Sequence, residues 1–174
     1  MSLMRKSFSL WIISLFICNI ALSDVIVSID DVLVGGYTED IIVPVNVSNP
    51  DNSVGGFQFD IVAVPTIITL SGASPIDSDN FSADFTVFED GSGRIIFYNN
   101  SGGQISSGGD GIVLNLHYDG SDVLSALVDL EAYDLTVSDG DGNIIPGELV
   151  NGSITIGNLE KYLTEIAWEK GWVK

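Results

Sequence analysis

Apolar and polar residues alternate with a period of two along most of the chain, which is the pattern of strands buried on one face. In Val25-Ile26-Val27-Ser28-Ile29 every odd position is apolar. Ile41, Val43, Val45 and Val47 alternate with Ile42, Pro44, Asn46 and Ser48. Phe57, Phe59 and Ile61 point one way, Gln58 and Asp60 the other. Ile95 with Phe97 continues the series, followed by Ile112, Leu114, Leu116 and Tyr118. Val128, Leu130 and Ala132 stand opposite Asp129, Glu131 and Tyr133, and Ile154 with Ile156 closes it. Turn formers separate these runs, among them Gly35-Gly36, Asp90-Gly91-Ser92-Gly93, Gly108-Gly109-Asp110-Gly111 and Asp139-Gly140-Asp141-Gly142-Asn143. About nine short strands at this spacing predict an all-β sandwich, because each sheet must bury its apolar face against another. Pro44 marks an edge strand or a bulge, since it cannot donate to a ladder.

Both ends of the chain depart from this pattern. Arg5 and Lys6 precede the apolar run from Phe8 to Cys18, and Ala21-Leu22-Ser23 offers small residues for cleavage before Asp24. That is the form of a secretory signal peptide over residues 1–23; the apolar stretch is short of the roughly 20 residues of a membrane span. The domain then runs over residues 24–157. Residues 158–174 place Leu159, Leu163 and Ile166 on one helical face, with Asn158 as cap and Gly171 as stop. They predict a short amphipathic helix, docked on the domain or, through Trp168 and Trp172, on a neighbouring protein.

The 174 residues carry 6 Lys+Arg, 24 Asp+Glu and one His, a net charge of −18. Without residues 1–23 the bases are Arg94, Lys161, Lys170 and Lys174, and no cysteine remains. Nucleic acid is excluded as a partner, because phosphate binding needs clustered bases. A disulfide-free secreted domain is held by core packing alone.

Candidate chemistry is sparse. Asp139, Asp141 and Asn143 are spaced like the opening of a calcium loop, but Ile144 and Val150 occupy the places where an EF-hand needs Gly and Glu. A hairpin turn between Leu135-Thr136-Val137 and Ile144-Ile145 is the plainer reading, with calcium as the one ion the pattern allows. No cofactor is expected. His117 stands alone on a strand, no Gly-x-Ser-x-Gly elbow surrounds any serine, and the mature chain has no thiol, so no enzyme is expected. Asn46, Asn80, Asn99 and Asn151 open glycosylation sequons.

Four segments, in order, resemble the cohesin domain family. They are Val54-Gly55-Gly56-Phe57-Gln58-Phe59-Asp60-Ile61, then Gly93-Arg94-Ile95-Ile96-Phe97-Tyr98, then Asp110-Gly111-Ile112-Val113-Leu114-Asn115-Leu116. The fourth is the closing hairpin from Leu135 to Ile156, with Gly152-Ser153-Ile154 near its end. The resemblance covers residues 24–157. It implies a nine-stranded jelly-roll sandwich and a non-catalytic module that binds dockerins on secreted polysaccharide-degrading enzymes. It also implies a binding face on the sheet that holds Gln58 and Asp60, with Tyr98, Asn99, Asn100 and Asn115 as further recognition groups. Two places depart from the family pattern: Ala63-Val64-Pro65 stands where the family often has Tyr-Asp-Pro, and the loop from Asn99 to Gly103 lacks acids. A carbohydrate-binding module on the same sandwich would stack sugars on exposed aromatics, for which Tyr37, Tyr98, Tyr118 and Tyr133 remain. An adhesive or structural extracellular sandwich without a dockerin partner is the third reading.

Overall fold

The computed structural model describes residues 24–49, 51–100 and 103–157. The predicted signal peptide and C-terminal helix lie outside them. The described chain is all-β, and no helix in it is long and apolar enough to cross a membrane.

Twelve strands form where nine are expected. They are β1 Val25–Ile29, β2 Val32–Val34, β3 Thr38–Asn49, β4 Gly56–Val64, β5 Thr69–Pro75, β6 Phe81–Val87, β7 Gly93–Asn99, β8 Gly109–Gly120, β9 Ala126–Ser138, β10 Ile144–Ile145, β11 Gly147–Val150 and β12 Gly152–Ile156. One layer has the order β11-β1-β3-β8-β5, and the other β2-β12-β9-β4-β7-β6, with β10 paired to β9. The excess over nine has a physical cause at both chain ends of the domain. At Asp30-Asp31 the chain leaves the first layer as β1 and enters the second as β2, and at Asn151 it does the same from β11 to β12. β1 runs parallel to β11 and β12 parallel to β2, so the two switches lie side by side. Gly152 allows this: a Cβ there would sit 2.5 Å from the Ile29 carbonyl oxygen and 2.6 Å from that of Asp30. The third addition, β6, carries its own signal in the alternation of Phe81, Ala83, Phe85 and Val87 with Ser82, Asp84 and Thr86.

The core is the set of inward positions that period two predicts. Val43, Val45, Leu114 and Leu116 of one layer meet Phe59, Ile95, Phe97, Leu130 and Ile154 of the other, all buried. Phe97 lies between two further rings, 4.9 Å from Phe57 and 4.8 Å from Phe81 between centroids. Burial pushes the Tyr118 phenol pKa upward.

One expectation fails locally and another holds only in part. Ile112 is exposed, because the register slips between Val45/Leu114 and Asn46/Ile112 and turns it to the outer side. Of the two readings of Pro44 the edge strand fails, since β3 lies between β1 and β8, while the irregularity is present, the register shifting one residue further on between Val45 and Asn46. Pro44 is tolerated there because β1 leaves the sheet at that level; the Pro44 carbonyl accepts from Asp30 N at 3.0 Å, the first residue past β1.

Candidate binding face and its relatives

The outer surface of the β9–β4–β7–β6 layer is built from three rungs fixed by strand register. Ser138, Gly56, Tyr98 and Ser82 form the first, Thr136, Gln58, Ile96 and Asp84 the second, and Tyr133, Asp60, Arg94 and Thr86 the third. Each projects outward because its chain neighbours, Phe57, Phe59, Ile95 and Phe97 on the central strands, fill the core. Between Gln58 and Asp60 the partner strand β9 carries an extra residue. Asp134 absorbs it at φ 55°, a left-handed conformation that Asp adopts more readily than most residues. The bulge leaves Tyr133 exposed while Leu135 still packs on the core.

Tyr98 and Ile96 are about two-fifths exposed and Gln58 is partly buried, so the middle of the face offers an aromatic ring, an apolar patch and an amide together. The Tyr98 hydroxyl donates to Asp84 Oδ2 at 3.2 Å. A cleft of about 560 Å³ opens beside Tyr98, bounded by Gly56, Gln58, Thr136, Asp139 and Asp141. Gly55 and Gly56 are required here: a Cβ on Gly55 would collide with the Asp139 carbonyl, and one on Gly56 would sit 2.6 Å from the Phe97 carbonyl oxygen.

The third rung differs from expectation. Asp60 is buried, and its carboxylate accepts both Arg94 Nε at 2.6 Å and Nη2 at 2.8 Å. Asp60 raises the guanidinium pKa of Arg94, chiefly through that hydrogen bonding. Arg94 also lies 5.8 Å from the centre of the Phe88 ring. The half-exposed guanidinium, rather than the acid, is therefore what this rung presents to solvent. Sequence reasoning passed over Arg94, although it is the only Lys or Arg among residues 24–157 and alternation places it outward opposite Asp60.

Asn99 and Asn100 lie at the end of the same face. Asn99 Nδ2 donates to the Gly55 carbonyl at 3.4 Å, and Asn100 Oδ1 accepts from Ser82 Oγ at 2.6 Å. Asn115 does not join them. It faces outward as expected, but from β8 in the opposite layer, because alternation gives the side of a strand and not its sheet.

The Asp139–Asn143 segment forms the expected turn, joining β9 to β10. Asp139 Oδ1 accepts from the backbone of Asp141 at 2.9 Å and of Asn143 at 2.8 Å, and Oδ2 from Asn143 Nδ2 at 3.0 Å. These bonds, the Asn143 side chain first, hold the Asp139 carboxyl below the usual carboxylate range. Among the described residues, no group of three His, Cys, Asp or Glu side chains is placed to hold a metal ion.

A two-layer β-sandwich presenting a face of amide, phenol and aliphatic side chains has the make-up of a protein-recognition surface. The family model for the cohesin domain matches residues 25–156, and the chain belongs to the cohesin family. Solved structures share the fold. The non-cellulosomal cohesin of the hyperthermophilic archaeon Archaeoglobus fulgidus is 19% identical, over 82% of this chain and 98% of that one, with a TM-score of 0.61. The cohesin CaCohA2 of Clostridium acetobutylicum, solved in complex with a variant of CaDoc0917, is 26% identical over 76% of this chain and 99% of that one, with a TM-score of 0.61. The OlpA cohesin of Clostridium thermocellum, solved in a type I cohesin–dockerin complex, is 19% identical over 77% and 99%, also at 0.61. Separately, 34 residues of the chain are 44% identical to the glutamate synthase [NADPH] small chain of Azospirillum brasilense, 20% of this chain and only 7% of that protein.

Proposed function

We propose that the chain is a secreted binding module that recognises a dockerin-like partner through the outer face of β9–β4–β7–β6. The carrying observation is the membership of residues 25–156 in the cohesin family. It is supported by the register that sets Gln58, Ile96 and Tyr98 side by side on one face. The leader-like residues 1–23 support export, and the link to polysaccharide breakdown follows from the partner class. Such a face binds by a few central side chains, with Tyr prominent among them.

The full mature chain, immobilised and titrated with calcium-loaded dockerin modules, is expected to bind. Gln58→Ala and Tyr98→Ala are each expected to weaken binding by at least about 10-fold, the size of a modest hot spot. Asn115→Ala, on the opposite layer, leaves binding unchanged. Loss of binding in Asn115→Ala but not in Tyr98→Ala would reject the face; no binding to any dockerin would reject the partner.

A polysaccharide ligand is the second reading, favoured by the placing of Tyr98 beside a cleft lined with Gln58, Thr136 and Asp139. Co-sedimentation with insoluble cellulose, lost in Tyr98→Ala, would support it.

A further inference from the structure

The outer surface of the other layer carries a constellation unrelated to the recognition face. His117 projects outward from β8 because Leu116 and Tyr118 on either side are buried. Its Nε2 lies 2.8 Å from Ser74 Oγ on β5, and its Nδ1 lies 2.9 Å from Asp40 Oδ1 on β3. Two register shifts accompany this line of three. One extra residue sits in β3 between Thr38 and Ile41, and another in β5 between Leu70 and Gly72. Gly72 stands opposite His117, and a Cβ there would lie 3.4 Å from His117 Cβ, so the imidazole has bare backbone beside it.

The protonation pattern follows from the partners. A carboxylate only accepts, so a neutral imidazole donates Nδ1–H to Asp40, and Nε2 is left to accept the Ser74 hydroxyl proton. Nucleophile, base and orienting acid are thus joined in order. The side chain of His117 is one-quarter exposed and that of Asp40 more than half, so a reagent can reach the base. Asn115 is the register partner of Ser74 and, partly buried between the fully buried Leu114 and Leu116, lies on the same outer side. Residues paired in this way have Cβ atoms about 5 Å apart, so an amide side chain stands next to Ser74 on the same face.

We propose that Ser74 is an acyl-accepting nucleophile, activated by His117 with Asp40 as its positioning residue, that takes the acyl group of small neutral esters. Ser74 Oγ attacks the ester carbonyl as its proton passes to His117 Nε2. The bond to the alcohol oxygen breaks, and the imidazolium returns the proton to the departing alkoxide. The products are acyl-Ser74 and free alcohol, with no redox change. Anionic esters are disfavoured because residues 24–157 carry 21 Asp and Glu against Arg94 alone, a field that repels anions. This inference stands apart from the dockerin reading, since it uses the other layer.

The test is exposure of the mature chain to p-nitrophenyl acetate, followed by intact mass and peptide mapping. One acetyl group on Ser74 is expected, with release of p-nitrophenolate. Ser74→Ala loses that label and Ser74→Cys keeps one at the same position. His117→Gln slows labelling at least about 100-fold, the lower range for a general base. Asp40→Asn slows it and Asp40→Glu restores part of the rate. If the hydrogen-bond line only ties β3, β8 and β5 together, the folded wild-type chain gains no acetyl group on Ser74. That result, or a Ser74 label untouched in folded His117→Gln, overturns the proposal.

Discussion

Asn49, the last residue of β3, has no exposed surface and holds two loops together through one amide group. Its Nδ2 donates to the carbonyls of Asn52 at 2.8 Å, Ser106 at 2.8 Å and Ile105 at 3.2 Å. Asn49→Ala leaves those carbonyls without this donor, and a buried polar group so stranded costs about 1–3 kcal/mol. Urea unfolding should show that loss with an unchanged slope. Asp139 gives a residue-scale prediction with a pH sign. Its folded pKa is depressed, so its contribution is present above the unfolded value near 4 and is lost as pH falls through the folded value. Asp139→Asn should therefore unfold at lower temperature than wild type at pH 7, with the gap closing on acidification below about pH 4. At this scale the direction of Gln58 and Tyr98 is legible in the sequence, because alternation alone sets it. The burial of Asp60 is not, because its cover comes from Arg94, a residue 34 positions away.

The elements are joined by aromatic packing and by the paired sheet switches. Phe97 of β7 lies between Phe57 of β4 and Phe81 of the edge strand β6, so Phe97→Ala opens a cavity on both sides. The expected cost is about 3–5 kcal/mol, read from chemical denaturation. Gly152→Ala forces a methyl group against the Ile29 and Asp30 carbonyl oxygens, rigid backbone rather than a yielding side chain. About 1–3 kcal/mol of destabilisation is expected from such overpacking, visible as a lowered thermal midpoint. Strands of this kind announce themselves by periodicity, as the buried sets of β1, β3, β4 and β12 show. Bulges do not, because an inserted residue is defined only against its partner strand. Ile112 and Tyr133 with Asp134 are the cases in point: one slip turns an apolar residue to solvent, the other keeps two consecutive side chains on the surface.

Across the whole molecule, charge dominates. Residues 24–157 hold 21 acids and a single Arg, and that Arg is engaged by Asp60. If a dockerin-like partner docks through a basic surface, its association rate should fall steeply with salt, since the screening length shrinks from about 10 Å at 0.1 M to about 3 Å at 1 M. Stopped-flow measurement of the on-rate across that range checks this; a flat profile would mean that the contact is carried by Tyr98 and Ile96 without electrostatic steering. Taken by itself, the sequence determined the all-β class, the inward and outward sides of most strands, the family, and the turn at Asp139. Those properties depend on near neighbours in the chain, through a two-residue repeat and local hydrogen bonds. The tertiary structure alone decided which layer each outward side chain belongs to. It separated Asn115 from Gln58, set Arg94 over Asp60, and joined His117 to Asp40 and Ser74 across 77 and 43 positions of sequence. Such pairings arise only where strands distant along the chain are brought into register, and no local pattern encodes that meeting.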